Sequence, residues 1–338
     1  MVTVNGRRQR LILASQSSVA SSSFAERVEA AASAGFDSIG ITLEDFAKAL
    51  ASGLTTREMC AILTANGMRI DEIDAIVGFD VAPADAGRRY FNGVPSSTQQ
   101  DIDTFFEIAE TFGADHITTV GSFGVTSLGP GTRLEPASAE RFAALCDRAA
   151  SAGTKIALEY VGDSNVPTVE RAIEIVRDSG GDSGGISADI WHQERKGSGM
   201  GALKSLLPEE VVVIQVSDGP RMPVFRDYME DTRRTRLAPG RGEFDIAGFL
   251  QAIYSTGASA PVSVEVISDE LSAMDPGAAA ELLARTTRAV VDATAADAEQ
   301  TPPCVERDDA DFHPALEARS AEARRYGAGP ADGPGQGP

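Results

Sequence analysis

Four polar side chains each interrupt an otherwise apolar run. They are Glu159 in KIALEY (155–160), Asp189 in GGISADI (184–190), Gln215 in VVVIQVSD (211–218) and Glu265 in PVSVEVIS (261–268). His192, one of only three histidines in the chain, follows Asp189 by three positions. Three carboxylates brought together without a partner would be costly, because buried charge requires compensation. A divalent cation removes that cost. Carboxylates with an amide oxygen suit Mn²⁺, Mg²⁺ or Co²⁺ better than a thiolate-seeking metal. Such an ion can grip a carbonyl oxygen and the adjacent hydroxyl, and stabilise the charge left when the α-proton departs. One carboxylate alone serves as readily in a salt bridge or a helix cap. The metal reading rests on four such residues in four consecutive runs.

These residues need elements that bring them to one place. Eight strand-like runs occur, at 10–15, 36–42, 71–79, 115–122, 155–160, 184–190, 211–218 and 261–268. Amphipathic helical stretches lie between them, among them 24–35, 98–112, 137–152, 167–179, 244–256 and 277–295, with Thr168 and Asp245 as cap-forming residues near two starts. Strict alternation implies parallel βαβ units. Eight repeats over about 290 residues predict an α/β fold, a closed (β/α)8 TIM barrel over 1–296. The segment after the first run, ASQSSVASSS, has no GxGxxG, which argues against an open dinucleotide-binding sheet. In such a barrel, function sits at the C-terminal ends of the strands, where the four polar residues lie.

The chain has 338 residues and a formal net charge of −20. That acidity repels phosphate backbones and argues against nucleic acid as a partner. Cys60, Cys146 and Cys304 are too few and scattered for a disulfide framework, and Cys146 reads as a buried small residue. The first residues hold an apolar run too short for a signal peptide, and no stretch approaches a membrane span. A cytoplasmic location is the simplest expectation. From 297 to 338 periodicity gives way to Pro, Gly and charge, predicting an extension with a short helix at 313–326 and a disordered end. His313 falls there, outside the barrel.

The segments ALEYVGDSNVPTVERA, GGISADIWHQERKGSG, VVVIQVSDGP, TRLAPGRGEFDIAGFL and PVSVEVISDEL resemble the xylose-isomerase-like barrel superfamily, the sugar isomerase and epimerase group. The resemblance implies one divalent metal, Mn²⁺ first, held by Glu159, Asp189, Gln215 and Glu265. It implies that His192 touches substrate, and that Arg221, six residues past Gln215, binds a substrate oxygen. Many members carry His where this chain has Gln215. That difference, with SDGP and RLAPGRG, resembles the branch that includes bacterial 3-dehydroshikimate dehydratases. The implied reaction is isomerisation or epimerisation of a small keto-sugar or keto-polyol, with Glu159 and Glu265 as exchanging base and acid. The alternative is a dehydratase, in which His192 or a glutamate takes the proton and a β-hydroxyl departs. Relatives are commonly dimers or tetramers, so a homo-oligomer is compatible with the resemblance.

Six arginines (Arg221, Arg226, Arg233, Arg234, Arg236 and Arg241) fall within 21 residues after the seventh run. They read equally as a clamp for an anionic substrate, with Arg221 and Arg236 as the contacts, or as a lid pairing with Asp218, Asp227, Glu230 and Asp231. GSFGVTSLGPGTR (121–133) reads as a lid loop without a P-loop ending, and His116 as an inward core residue. An abasic-site endonuclease, which shares the barrel, would need more histidines. A barrel that only binds a ligand is the remaining alternative.

Overall fold

The computed structural model describes residues 3–17, 19, 22–82, 86–87, 95–123, 136–197 and 199–300. Eight strands close into a barrel: β1 (Leu11–Leu13), β2 (Ser38–Thr42), β3 (Ile70–Val77), β4 (His116–Val120), β5 (Lys155–Glu159), β6 (Gly184–Asp189), β7 (Val211–Val216) and β8 (Val262–Val264). Each pairs in parallel with the next, and β8 pairs with both β7 and β1. Each of the eight predicted runs holds one strand. The residues are buried almost without a break, as expected when helices cover a sheet's outer face. β8 is short, but its ladder is continued by Glu265, whose N–H donates to the Val216 carbonyl at 3.0 Å.

The surrounding helices begin and end where side chains satisfy the free backbone groups. α1 (Phe24–Ala34), α2 (Leu43–Ala51), α3 (Thr56–Ala65) and α4 (Gln99–Phe112) each start with a capping box, formed by Ser23 and Glu26, Thr42 and Asp45, Thr55 and Glu58, and Thr98 and Asp101. α5 (Pro136–Ala152) and α6 (Val169–Ser179) follow β4 and β5. α6 buries Val169, Ala172, Ile173 and Val176, the spacing of one helical face. Like α2 and α3, two short helices lie outside the stretches named from the sequence: α7 (Ile190–Lys196) directly after β6, and α8 (Tyr228–Arg234) in the segment after β7. α9 (Ile246–Tyr254), α10 (Asp269–Ser272) and α11 (Pro276–Gln300) complete the order. Asp245 caps α9 by accepting from Gly248 N–H, whereas Thr168 precedes α6 without a side-chain cap.

The chain divides into two compact units, Met1–Ala296 and Asp297–Pro338. The expected helix at 313–326, His313, Cys304 and most of the loop at 121–133 lie outside the described residues. Cys146 is buried. No described helix is long and apolar enough to cross a membrane.

Candidate active site

Strand register explains how four residues on four strands reach one rim. Ser187, not Asp189, lies opposite Glu159, and Ser263, not Glu265, lies opposite Gln215. The strands of a closed eight-stranded barrel are tilted, with a shear of about one residue per strand. Asp189 lies directly opposite Gln215, and the tilt works against the two-residue offsets on either side, so all four residues fall toward the C-terminal ends of their strands. All four are buried.

The cluster is dense in charge. Glu159 Oε1 lies 3.2 Å and Asp189 Oδ2 3.4 Å from His192 Nε2. One ligand atom from each of Glu159, Asp189 and His192 lies within 4.8 Å of the others, an arrangement able to hold a metal ion. Arg236 Nη1 donates to Asp189 Oδ2 at 3.2 Å, to Glu265 Oε2 at 3.0 Å and to the Glu265 carbonyl at 3.2 Å. Three carboxylates against one guanidinium leave a formal surplus of two negative charges. Burial, then Glu265 and Asp189, raises the Glu159 carboxyl well above the ordinary carboxylate range. Burial raises Asp189 despite Arg236 beside it. Burial also raises Glu265, to about 8, with Arg236 opposing and Asp189 adding. Burial and the Arg236 charge push His192 well below its ordinary value, so the ring is neutral near pH 7. This surplus, with oxygen donors aimed together, fits a divalent cation.

α7 turns sharply out of β6 because Asp189 caps it, its Oδ1 accepting from Trp191 N–H at 2.9 Å. One turn of helix then carries His192 back over the carboxylates. His192 sits on this helix and is 3% exposed. α8 packs against α7. Trp191 Nε1–H donates to Thr232 Oγ1 at 3.0 Å, and Arg195 donates to Asp231 Oδ2 at 3.1 Å while stacking 4.4 Å from the Trp191 ring. Asp218, at the end of β7, accepts from the N–H groups of Gly219, Gly242 and Phe244, which draws both ends of the segment together.

The two arginines read as substrate contacts take different places. Arg236 is 1% exposed, with its Nε donating to the Thr232 carbonyl and its Nη1 spent on Asp189 and Glu265. These contacts brace Asp189 and Glu265 through Nη1. Arg221 has a side chain 76% exposed and lies 3.8 Å from Glu243 at the surface, because the closure by Asp218 turns the segment outward there. Arg234 pairs with Glu230 and Asp269. Of the four acids read as lid partners, Glu230 pairs with Arg234, whereas Asp231 pairs with Arg195 and Asp218 and Asp227 accept from backbone N–H groups. Gln215 reaches the mouth with its Oε1 accepting from Ser187 Oγ at 2.6 Å, which leaves that oxygen a second lone pair for an ion.

Sequence reasoning missed the opposite wall. Glu72 and Asp74, both on β3, are buried and face inward. Glu72 accepts from Ser263 Oγ at 2.6 Å and Ser15 N–H at 3.2 Å, and lies 3.6 Å from His116 Nε2. A β-carbon at Gly40 would stand 2.6 Å from Glu72 Oε1, so glycine there makes room for the carboxylate. Asp74 accepts from Ser15 Oγ at 3.2 Å; burial and the neighbouring Glu72 raise it to about 6. The signal was present in DEIDAIV, where acids at 72 and 74 share one face of a strand. His116 is buried and inward, as expected.

The sequence profile described as Xylose isomerase-like TIM barrel matches residues 28–290. The chain is 28% identical over 246 residues to the 3-dehydroshikimate dehydratase of Pseudomonas aeruginosa, covering 72% of this chain and 36% of that protein. The chain thus spans about a third of that relative's length. It is 28% identical over 208 residues to the inosose isomerase of Bacillus subtilis, covering 60% of this chain and 73% of that protein. Among solved structures, the IOLI protein with a binding zinc atom superposes with a TM-score of 0.70 at 22% identity, covering 84% of this chain and 99% of that chain. That likeness speaks to the fold.

Proposed function

The chain belongs to the xylose isomerase-like TIM barrel family, and from that premise we propose that it is a divalent-metal-dependent isomerase or epimerase. It abstracts a proton next to the carbonyl of a small polyhydroxylated ketone. The observation that carries this reading is the approach of the buried Glu159 and Asp189 carboxyls to one point, 3.2 and 3.4 Å from His192 Nε2, in a mouth that also holds the buried Glu265. Glu159, Asp189, Gln215 and Glu265 would hold the ion, and their oxygen donors favour Mn²⁺, with Mg²⁺ and Co²⁺ as alternatives. An ion bound there supplies Lewis acidity at the substrate carbonyl.

The side chains do the rest. Glu159 and Glu265 approach from β5 and from the end of β8 and exchange the carbon-bound proton as base and acid. Arg236 holds Asp189 and Glu265 in fixed orientation. His192 faces the substrate oxygens. A second reading is dehydration of a cyclic keto-polyol of the 3-dehydroshikimate or inosose type. It is favoured by the likeness to the Pseudomonas aeruginosa dehydratase, which covers more of this chain than that to the inosose isomerase.

Incubation with Mn²⁺ and a panel of keto-sugars, inososes and 3-dehydroshikimate in deuterated water separates the two readings. Proton NMR reports exchange at the α-carbon without net water loss for an isomerase, and water loss for a dehydratase. Glu265→Gln should abolish both. Full turnover in that variant, or turnover indifferent to a chelator, would refute the assignment.

A further inference from the structure

His192 is held from two sides. Its Nε2 lies between Glu159 Oε1 and Asp189 Oδ2, at 3.2 and 3.4 Å, and its Nδ1 lies 2.6 Å from the Tyr228 hydroxyl. Tyr228 comes from the first turn of α8, and its hydroxyl oxygen also accepts from Gly162 N–H at 3.2 Å. Gly162 permits that approach, since a β-carbon there would stand 2.8 Å from the hydroxyl. Lys196 Nζ lies 4.7 Å from the Tyr228 ring centroid, on its face.

A neutral imidazole carries one proton, on one nitrogen or the other. With the proton on Nδ1, the ring would donate to the Tyr228 oxygen. The Tyr228 O–H, already receiving Gly162 N–H, would then have no acceptor among its described contacts. With the proton on Nε2, the Tyr228 hydroxyl is fully used. Its O–H donates to Nδ1 and its oxygen accepts from Gly162 N–H, while Nε2–H faces the Glu159 and Asp189 oxygens.

We infer that Tyr228 is a positioning residue that holds His192 as the Nε2–H tautomer, so that this histidine presents a hydrogen-bond donor, not a metal-ligating lone pair, to the mouth of the barrel. In the presence of substrate the same Nε2–H points at an oxygen and polarises it. That role in turnover rests on the proposed function, whereas the tautomer does not.

Only three histidines occur in the chain, so the nitrogen-15 spectrum of the imidazoles is simple. Full-length labelled protein is recorded without metal and again with Zn²⁺, with His192→Asn to assign the resonances. The expected pattern for His192 is a protonated Nε2 and an unprotonated Nδ1 displaced by its hydrogen bond, both retained when Zn²⁺ is added. Tyr228→Phe keeps the ring and should move Nδ1 to the position of an unbonded pyridine-type nitrogen. On whichever substrate turns over, it should lower kcat about tenfold, the worth of one hydrogen bond of about 1.4 kcal/mol, with a smaller change in KM. A protonated Nδ1 in the wild type would overturn the inference without use of any variant. Loss of the Nε2 proton on adding Zn²⁺ would make His192 a ligand and overturn it too. An Nδ1 resonance unmoved in Tyr228→Phe would remove Tyr228 from the role. None of the nitrogen-15 readouts requires the substrate, so failure of the proposed reaction is distinguishable from failure of the tautomer.

Discussion

Replacing Glu265 by Gln tests whether the barrel mouth stores unfavourable charge that a cation is meant to relieve. Burial, with Asp189, Asp74 and Glu72 adding and Arg236 opposing, raises this carboxyl from an ordinary 4.5 to about 8. An acid whose folded value lies above its unfolded value keeps its proton longer in the folded chain. Its contribution to stability is full below about pH 4.5 and is lost as pH climbs through 8. At about 1.4 kcal/mol per pH unit, that interval amounts to on the order of 5 kcal/mol. Gln stays neutral, so the variant lacks this slope. Any constant loss from its weaker contact with Arg236 cancels when the two proteins are compared at two pH values. Urea denaturation with a chelator, at about pH 5 and about pH 8.5, should show the variant gaining on the wild type by roughly 4 kcal/mol between them. Saturating Mn²⁺ should reverse the wild-type trend, because the ion binds the ionised carboxylates. A difference between the proteins that stays constant with pH, within about 1 kcal/mol, would refute the account of Glu265 as a carboxylate trapped by burial.

Other perturbations probe the same cluster. Arg236→Met leaves Asp189 and Glu265 without their buried cation, and urea denaturation in chelator near pH 8 should show a loss of about 3–5 kcal/mol, partly recovered with Mn²⁺. Asp189→Asn should weaken Mn²⁺ binding by at least roughly tenfold in calorimetric titration; unchanged affinity would remove Asp189 from the ligand set. Trp191 is the single tryptophan, fully buried beside Arg195 and Arg236, so its emission should change as metal fills the adjacent site. Thr232→Val deprives the Trp191 indole N–H of its acceptor and should cost about 1–3 kcal/mol in thermal or urea unfolding.

The local pattern of the chain was enough to locate the barrel. A parallel strand covered by helices on its outer face is apolar nearly throughout, so each run stands out, and a charged residue at its end stands out more. Glu159, Asp189, Gln215 and Glu265 were legible for that reason, and β-strand parity with barrel closure brings them to one rim. Glu72 and Asp74 were passed over although their alternation was visible. An acidic residue inside a strand reads as solvent-facing unless the strand is known to line a closed interior.

What sequence by itself determined is the set of elements and the residues at their ends, because both follow from periodicities of two and 3.6 that act over a few neighbours. What only the tertiary structure decided is how the segment after β7 uses its side chains. Six arginines look alike along the chain, yet Arg236 is buried between two carboxylates and Arg221 stands at the surface. Tyr228 meets His192 across 36 positions. Such contacts depend on where a loop folds back on the barrel, and no local spacing carries that information.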